Sequence, residues 1–243
     1  MTTVEDLETE WAAFRVERDN GLRDPHGWLS ISALHWLDAT PRSFPGVPGE
    51  WSTDGTAARH GDTEYTLAEA GSTLVDGEDG VKVEVVLRTG RYGLRVRDPR
   101  HPDLATFAGV PTFDFTPKWV VDADFDAYPE PETVTVGAAR DGLEHHLTAV
   151  GVATFEVDGQ PQRLVLTLAG DRVQALFHDA TNGEQTSAWR ALFADAPADG
   201  RVRLDFNRAL NMPSHLTPYG TCPKPPEGNV VTVPVGAGER RFR

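Results

Sequence analysis

The spacing of hydrophobic residues changes once along this chain, near residue 63. Before that point Val4, Leu7, Trp11 and Phe14 recur at i, i+3, i+7 and i+10, one stripe of an amphipathic helix. Thr3 is placed to cap this helix, Glu5 and Asp6 suit its electropositive start, and Gly21 marks its stop. Residues 1–26 are therefore expected to form a helix packed on the body through Trp11 and Phe14. The apolar stretch GWLSISALHWLD (27–38) fits either strand or helix. Residues 41–62, with Pro41, Pro45, Pro48 and repeated glycines, read as turns and short edges.

Beyond residue 63 the period is two. Val81, Val83 and Val85 alternate with Lys82 and Glu84, and Tyr92, Leu94 and Val96 alternate with Arg91, Arg95 and Arg97. Val121, Ala123 and Phe125 alternate with three aspartates. The sets Leu164-Leu166-Leu168, Val173-Ala175-Phe177 and Val202-Leu204-Phe206 follow the same rule. Turn dipeptides at Thr89-Gly90, Asp158-Gly159, Gly170-Asp171 and Asp199-Gly200 separate the runs. Short strands with one greasy face each predict an all-β fold, an antiparallel sandwich or barrel, behind the N-terminal helix. Residues 27–243 are expected to form a single β-rich domain. The Pro-Glu-Pro patch at 129–131 is either a boundary or a hairpin corner.

Charge narrows the partners. The 243 residues carry 37 Asp and Glu against 23 Lys and Arg, a net charge of −14, which repels nucleic acid and anionic membrane surfaces. No apolar run reaches the length of a membrane-spanning helix, and the first residues are acidic where a secretory signal is basic then apolar. The expectation is a cytoplasmic protein, with homodimerisation favoured by general frequency. A single cysteine, Cys222, excludes an internal disulfide or a cysteine-built zinc cage. Neither a metal nor a cofactor is implied.

The common catalytic motifs are missing: no G-x-S-x-G, H-E-x-x-H, P-loop or G-x-G-x-x-G occurs. Asp122, Asp124 and Asp126 imitate a calcium loop but lack its glycine and its closing glutamate, so they read as a solvated strand face. Arg91, Arg95 and Arg97 read as a matching basic face, with cross-strand ion pairs if the two strands are neighbours. His145 and His146 point to opposite faces of a strand, so they cannot both serve one metal. Trp28, Trp36 and Trp51 are either core or an exposed docking patch.

The densest polar information lies between His178 and Asn229, where five prolines from 213 to 226 stiffen a loop. Asp179, Arg190, Asp205, Asn207, Asn211, Tyr219 and Asn229 form the candidate ligand-binding set, with Arg190 as the clamp for a carboxylate or phosphate. The leading reading is a pocket for a small polar or anionic metabolite near this loop. A second is hydrolase or isomerase chemistry with Asp205 or His178 as general acid or base. A third makes Cys222 a nucleophile paired with His215. A structural or protein-interaction module is the fourth, in which the same side chains pin the loop to the sheet.

DFNRALNMPSHLTPYGTCPKPPEGN followed by VPVGAGER resembles the C-terminal signature of an uncharacterised microbial family, domain of unknown function 1684. Phe177, Asp179, Thr181 and Gly183, with Arg190 after them, resemble it too, as do RYGLRVRD (91–98) and GWLSISALHWL (27–37). Met212 stands where the family usually has proline and Ser214 where a cysteine is common. The resemblance therefore implies no required thiol pair here, and it implies no activity.

Overall fold

The computed structural model describes residues 3–242. The first part runs α1 (Val4–Leu22), β1 (Ile31–Trp36), β2 (Arg42–Phe44), β3 (Val47–Thr53), β4 (Ala58–His60), β5 (Thr63–Tyr65), β6 (Ser72–Asp76), β7 (Lys82–Arg88) and β8 (Arg91–Arg97). After α2 (Pro102–Thr106) come β9 (Val120–Gly137), β10 (Glu144–Val157), β11 (Gln160–Ala169), β12 (Arg172–Asp179), β13 (Arg190–Ala194), β14 (Arg201–Asp205), β15 (Leu210–Asn211) and β16 (Val230–Val231). The fold is all-β with an N-terminal helix, as the alternation predicts.

Two four-stranded antiparallel sheets, ordered β1-β8-β7-β6 and β2-β3-β4-β5, close on a core of Trp51, Val83, Val85, Tyr92 and Leu94. The long strands form the path β14-β9-β10-β11-β12-β13-β15, on which β16 adds a parallel pairing to β12. Their core gathers around Phe206, whose ring meets Trp119, Phe155 and Phe177. Thus Val173, Ala175 and Phe177 turn inward together, as do Val202, Leu204 and Phe206. Leu168 breaks its predicted row and is exposed near the end of β11.

The Pro-Glu-Pro patch is neither a boundary nor a corner. It lies inside β9, between residues paired to Gly151 and to Ala149 of β10, where the register shifts. Proline, which has no N–H to give, is tolerated where the ladder is broken. Gly151 permits the close approach, since a Cβ there would lie 2.4 Å from the Asp126 carbonyl oxygen.

The helix differs from the sequence reading at both ends. Thr3 and Asp6 form a reciprocal capping box, yet Val4 is exposed, so the packed stripe starts at Leu7. The helix also runs through Gly21 to Leu22, because Leu22 is buried against Leu29, Val110 and Leu216. Trp11 donates from its indole nitrogen to the Asn207 carbonyl, and the Arg208 guanidinium lies over Phe14. Residues 27–38 resolve into a short 3-10 turn at Trp28–Ser30 and then β1. Trp51 is core, while Trp28 and Trp36 are half-buried beneath arginines.

Candidate functional site

Most of the predicted polar set binds the chain to itself. Asp179 ends β12 and Arg190 opens β13, one strand over, with both side chains wholly buried and 2.8 Å apart. Arg190 also donates to the carbonyls of Val235, Ala237 and Glu239, and it stacks on Phe177. The other Asp179 oxygen accepts from the Thr181 amide and hydroxyl and from the Val235 amide. Read from sequence as a clamp for a ligand's carboxylate, Arg190 instead has both terminal nitrogens on Asp179 and on the strap 235–239. Its environment is that of a tie between sheet and strap.

The asparagines work in the same way. Asn229 accepts from the Val165 amide and donates to the Val165 and Leu176 carbonyls, so it replaces a missing ladder partner. Asn207 bridges both main-chain groups of Thr116. Asn211 donates from its side chain to the Arg240 carbonyl, and its amide donates to Glu239. His178 gives its Nδ1 proton to the Ala188 carbonyl, and Tyr219 is half-buried in the proline-rich loop. Glu239, absent from the predicted set, is fully buried between Arg15 and Arg18 of α1. The one sequence signal for it is the Ala-Gly-Glu that closes the strap; there Gly238 has φ +76° and a Cβ would lie 2.6 Å from the Ala209 oxygen.

Asp205 stands apart from this network. It caps the turn after β14 by accepting from the Asn207 amide and side chain, and its second oxygen is 3.2 Å from Arg208 Nε. It lines an open cavity of about 600 Å³ between α1, β9 and β12–β14. Leu7, Phe193 and Val202 supply apolar floor, and Arg172, Arg201, Arg203 and Arg208 supply four guanidinium groups. Each arginine meets an acid near the surface: Asp195, Asp124, Asp122 and Glu10 respectively. Burial pushes the Asp205 carboxyl above the usual aspartate range, against the opposing pull of Asn207 and Arg208.

Asp122, Asp124 and Asp126 form the exposed strand face that the alternation predicts, but of the basic row only Arg91 is exposed. β8 neighbours β1 and β7, not β9, so Arg95 and Arg97 do not meet the aspartate face. Both are buried, with Glu84 of β7 between them at 3.5 Å and 2.7 Å. Asp122 and Asp124 pair instead with Arg203 and Arg201 of β14. The proline-rich loop covers Arg95, whose Nη2 donates to the Thr221 hydroxyl. His145 donates to the Thr221 carbonyl from below, while His146 is exposed.

The predicted Cys222–His215 pair is not assembled as a catalytic couple. The buried Cys222 thiol faces Ser214 and lies near Arg95, and burial pushes its pKa up, away from the thiolate form. His215 packs its ring against Trp189, 4.5 Å between centroids, and burial pulls its pKa down to about 4. The native state therefore resists the proton that the unfolded state accepts, so this contribution is present above about pH 6.5 and is lost as pH falls towards 4. Because the ring is only half-buried, wild type should lose about 1–2 kcal/mol more than His215→Leu between pH 7 and pH 4. Urea melts at the two pH values measure this, and equal losses would show a freely solvated imidazole.

Among the described residues no three His, Cys, Asp or Glu side chains are placed to share a metal ion. No helix there is long and apolar enough to cross a membrane. The chain belongs to the family described as a protein of unknown function, DUF1684, whose model matches residues 105–240. It is also similar to the solution NMR structure of an uncharacterised protein of Haloarcula marismortui. The two are 28% identical over 58% of this chain and 80% of that one, with a TM-score of 0.48. No curated protein matches the chain.

Proposed function

We propose that the protein binds a small polar metabolite carrying an anionic group, in the cavity between α1 and β14 rather than among the residues around Arg190. The observation that carries this reading is the convergence of four arginines, interleaved with the carboxylates of Glu10, Asp122, Asp195 and Asp205, on one open cavity of about 600 Å³ with an apolar floor. Ion pairs this exposed are each worth no more than about 1 kcal/mol, so an incoming anion displaces their carboxylates at little cost. Guanidinium forks then offer paired donors to carboxylate or phosphate oxygens. The reading takes the ligand to be soluble and the protein to be cytoplasmic.

One observation favours a second reading, turnover of the ligand with Asp205 as general acid or base. Asp205 is the one predicted acid–base candidate that lines the cavity, and its carboxyl holds its proton more tightly than an ordinary aspartate.

The test is a thermal-shift titration with citrate and with glucose 6-phosphate, on wild type and on Arg172→Ala/Arg203→Ala. A bound probe at about 100 times its Kd stabilises the fold by about 2.7 kcal/mol, roughly 5–10 °C for a chain of this size. Wild type should shift and the double variant should not. No shift in wild type, or the same shift in both, overturns the reading.

A further inference from the structure

The most unusual electrostatics lie under the proline-rich loop, away from the cavity. Arg95 is 1% exposed, yet its Nε and Nη1 have no hydrogen-bond partner. Its contact with Glu84 is long, because Glu84 gives its nearer oxygen to Nε and Nη2 of Arg97. Ser214 Oγ, opposite Cys222, is likewise buried without a nitrogen or oxygen partner. Buried donors of a charged group left open are costly, and native structures fill such places with a water or an ion.

The surrounding charge has one sign in excess. Arg88, Arg95 and Arg97 stand against Glu84 and Glu69, and Glu69 already accepts from the Thr89 and Gly90 amides. The open Nε and Nη1 of Arg95 are both donors, with Glu84 the nearest acceptor at 3.5 Å from Nη1, and the Ser214 hydroxyl, across Cys222 from Arg95, donates as readily as it accepts. An acceptor with several lone pairs in a small volume matches them.

We propose that a compact tetrahedral oxyanion, phosphate or sulfate, binds beneath the proline-rich loop between Arg95 and Ser214–Cys222. This site is independent of the cavity at Asp205. The open donors are shut off from solvent, so the anion enters when the loop lifts. The loop packs on itself as one unit: Gly220 lies so close to Ser214 that a Cβ would be 2.5 Å from its Cα. The five prolines stiffen the same segment. A bound anion bridges sheet and loop and holds the lid down.

Cys222 is the only cysteine in the chain and lies under the lid, so its alkylation by iodoacetamide reports lid opening. Phosphate and sulfate are titrated separately, against chloride at matched ionic strength, with labelling followed by intact mass. In wild type, one of the two at about ten times its Kd should slow labelling by about tenfold. Whichever does so identifies the preferred anion. Arg95→Gln should abolish the protection. Ser214→Ala, a small change at a half-buried position, should weaken it several-fold and serves as the test if the arginine variant does not fold. Arg172→Ala/Arg203→Ala should keep the protection in full, which separates this site from the cavity. Labelling of wild type that is no slower in phosphate or sulfate than in chloride overturns the proposal, as does undiminished protection in both Arg95→Gln and Ser214→Ala.

Discussion

Replacing Arg190 by methionine should cost about 3–5 kcal/mol, a large part of the stability of a typical domain. Methionine fills much of the space and packs on Phe177, so the loss is electrostatic. Asp179 is left without its counter-charge in a fully buried site, and the carbonyls of Val235, Ala237 and Glu239 lose their donor. Urea denaturation with a two-state fit measures the loss. Asp179→Asn/Arg190→Met should recover part of it, because the unpaired charge is then gone. A cost under about 1 kcal/mol for the single variant would mean that the pair is solvated and does not tie the strap to the sheet.

Glu239→Gln should cost about 3 kcal/mol and should loosen one element selectively. The carboxylate receives Arg15, Arg18 and the Asn211 amide in a site with no solvent exposure. A neutral amide keeps the shape but turns two donors towards guanidinium groups. Hydrogen exchange should therefore show faster exchange along α1, where Arg15 and Arg18 sit, with little change across β10–β13 beyond the global loss. Full protection of α1 in the variant would show that Trp11, Phe14 and Leu22 hold the helix without the ion pairs.

Both predictions rest on groups that the sequence shows only by half. Asp179, Arg190 and Asn229 are conspicuous as polar residues between greasy strands, and Asp179 and Arg190 pair with each other, but most of their other partners are main-chain groups at 165, 176, 181 and 235–239. Carbonyls carry no side-chain signal, so a clamp on a distant strap and a clamp on a ligand look alike in the sequence. Alternation was reliable where one strand face is apolar and the other meets water, as in Val173-Ala175-Phe177 and Val202-Leu204-Phe206. It failed for β7 and β8, which bury both faces: charged residues at alternate positions read as solvated, while Glu84, Arg95 and Arg97 lie together under a loop more than a hundred residues later. The cavity was legible only at Asp205. Its other charged walls come from α1, β9, β12, β14 and the turns that hold Asp195 and Arg208, and no local spacing relates Glu10 to Arg172 or Arg201.

Two uses of arginine divide this fold: Arg190 holds the chain together, and the arginines beside Asp205 are those proposed to meet a ligand. The most direct measurement of that division is a single thermal-shift screen of carboxylates and phosphate esters run in parallel on wild type, Arg190→Met and Arg172→Ala/Arg203→Ala. The account predicts that a compound stabilising wild type gives Arg190→Met a comparable shift from a lower starting temperature, and gives the cavity variant none. A compound whose effect survives in the cavity variant and vanishes in a folded Arg190→Met would place the ligand on Arg190 and contradict the account.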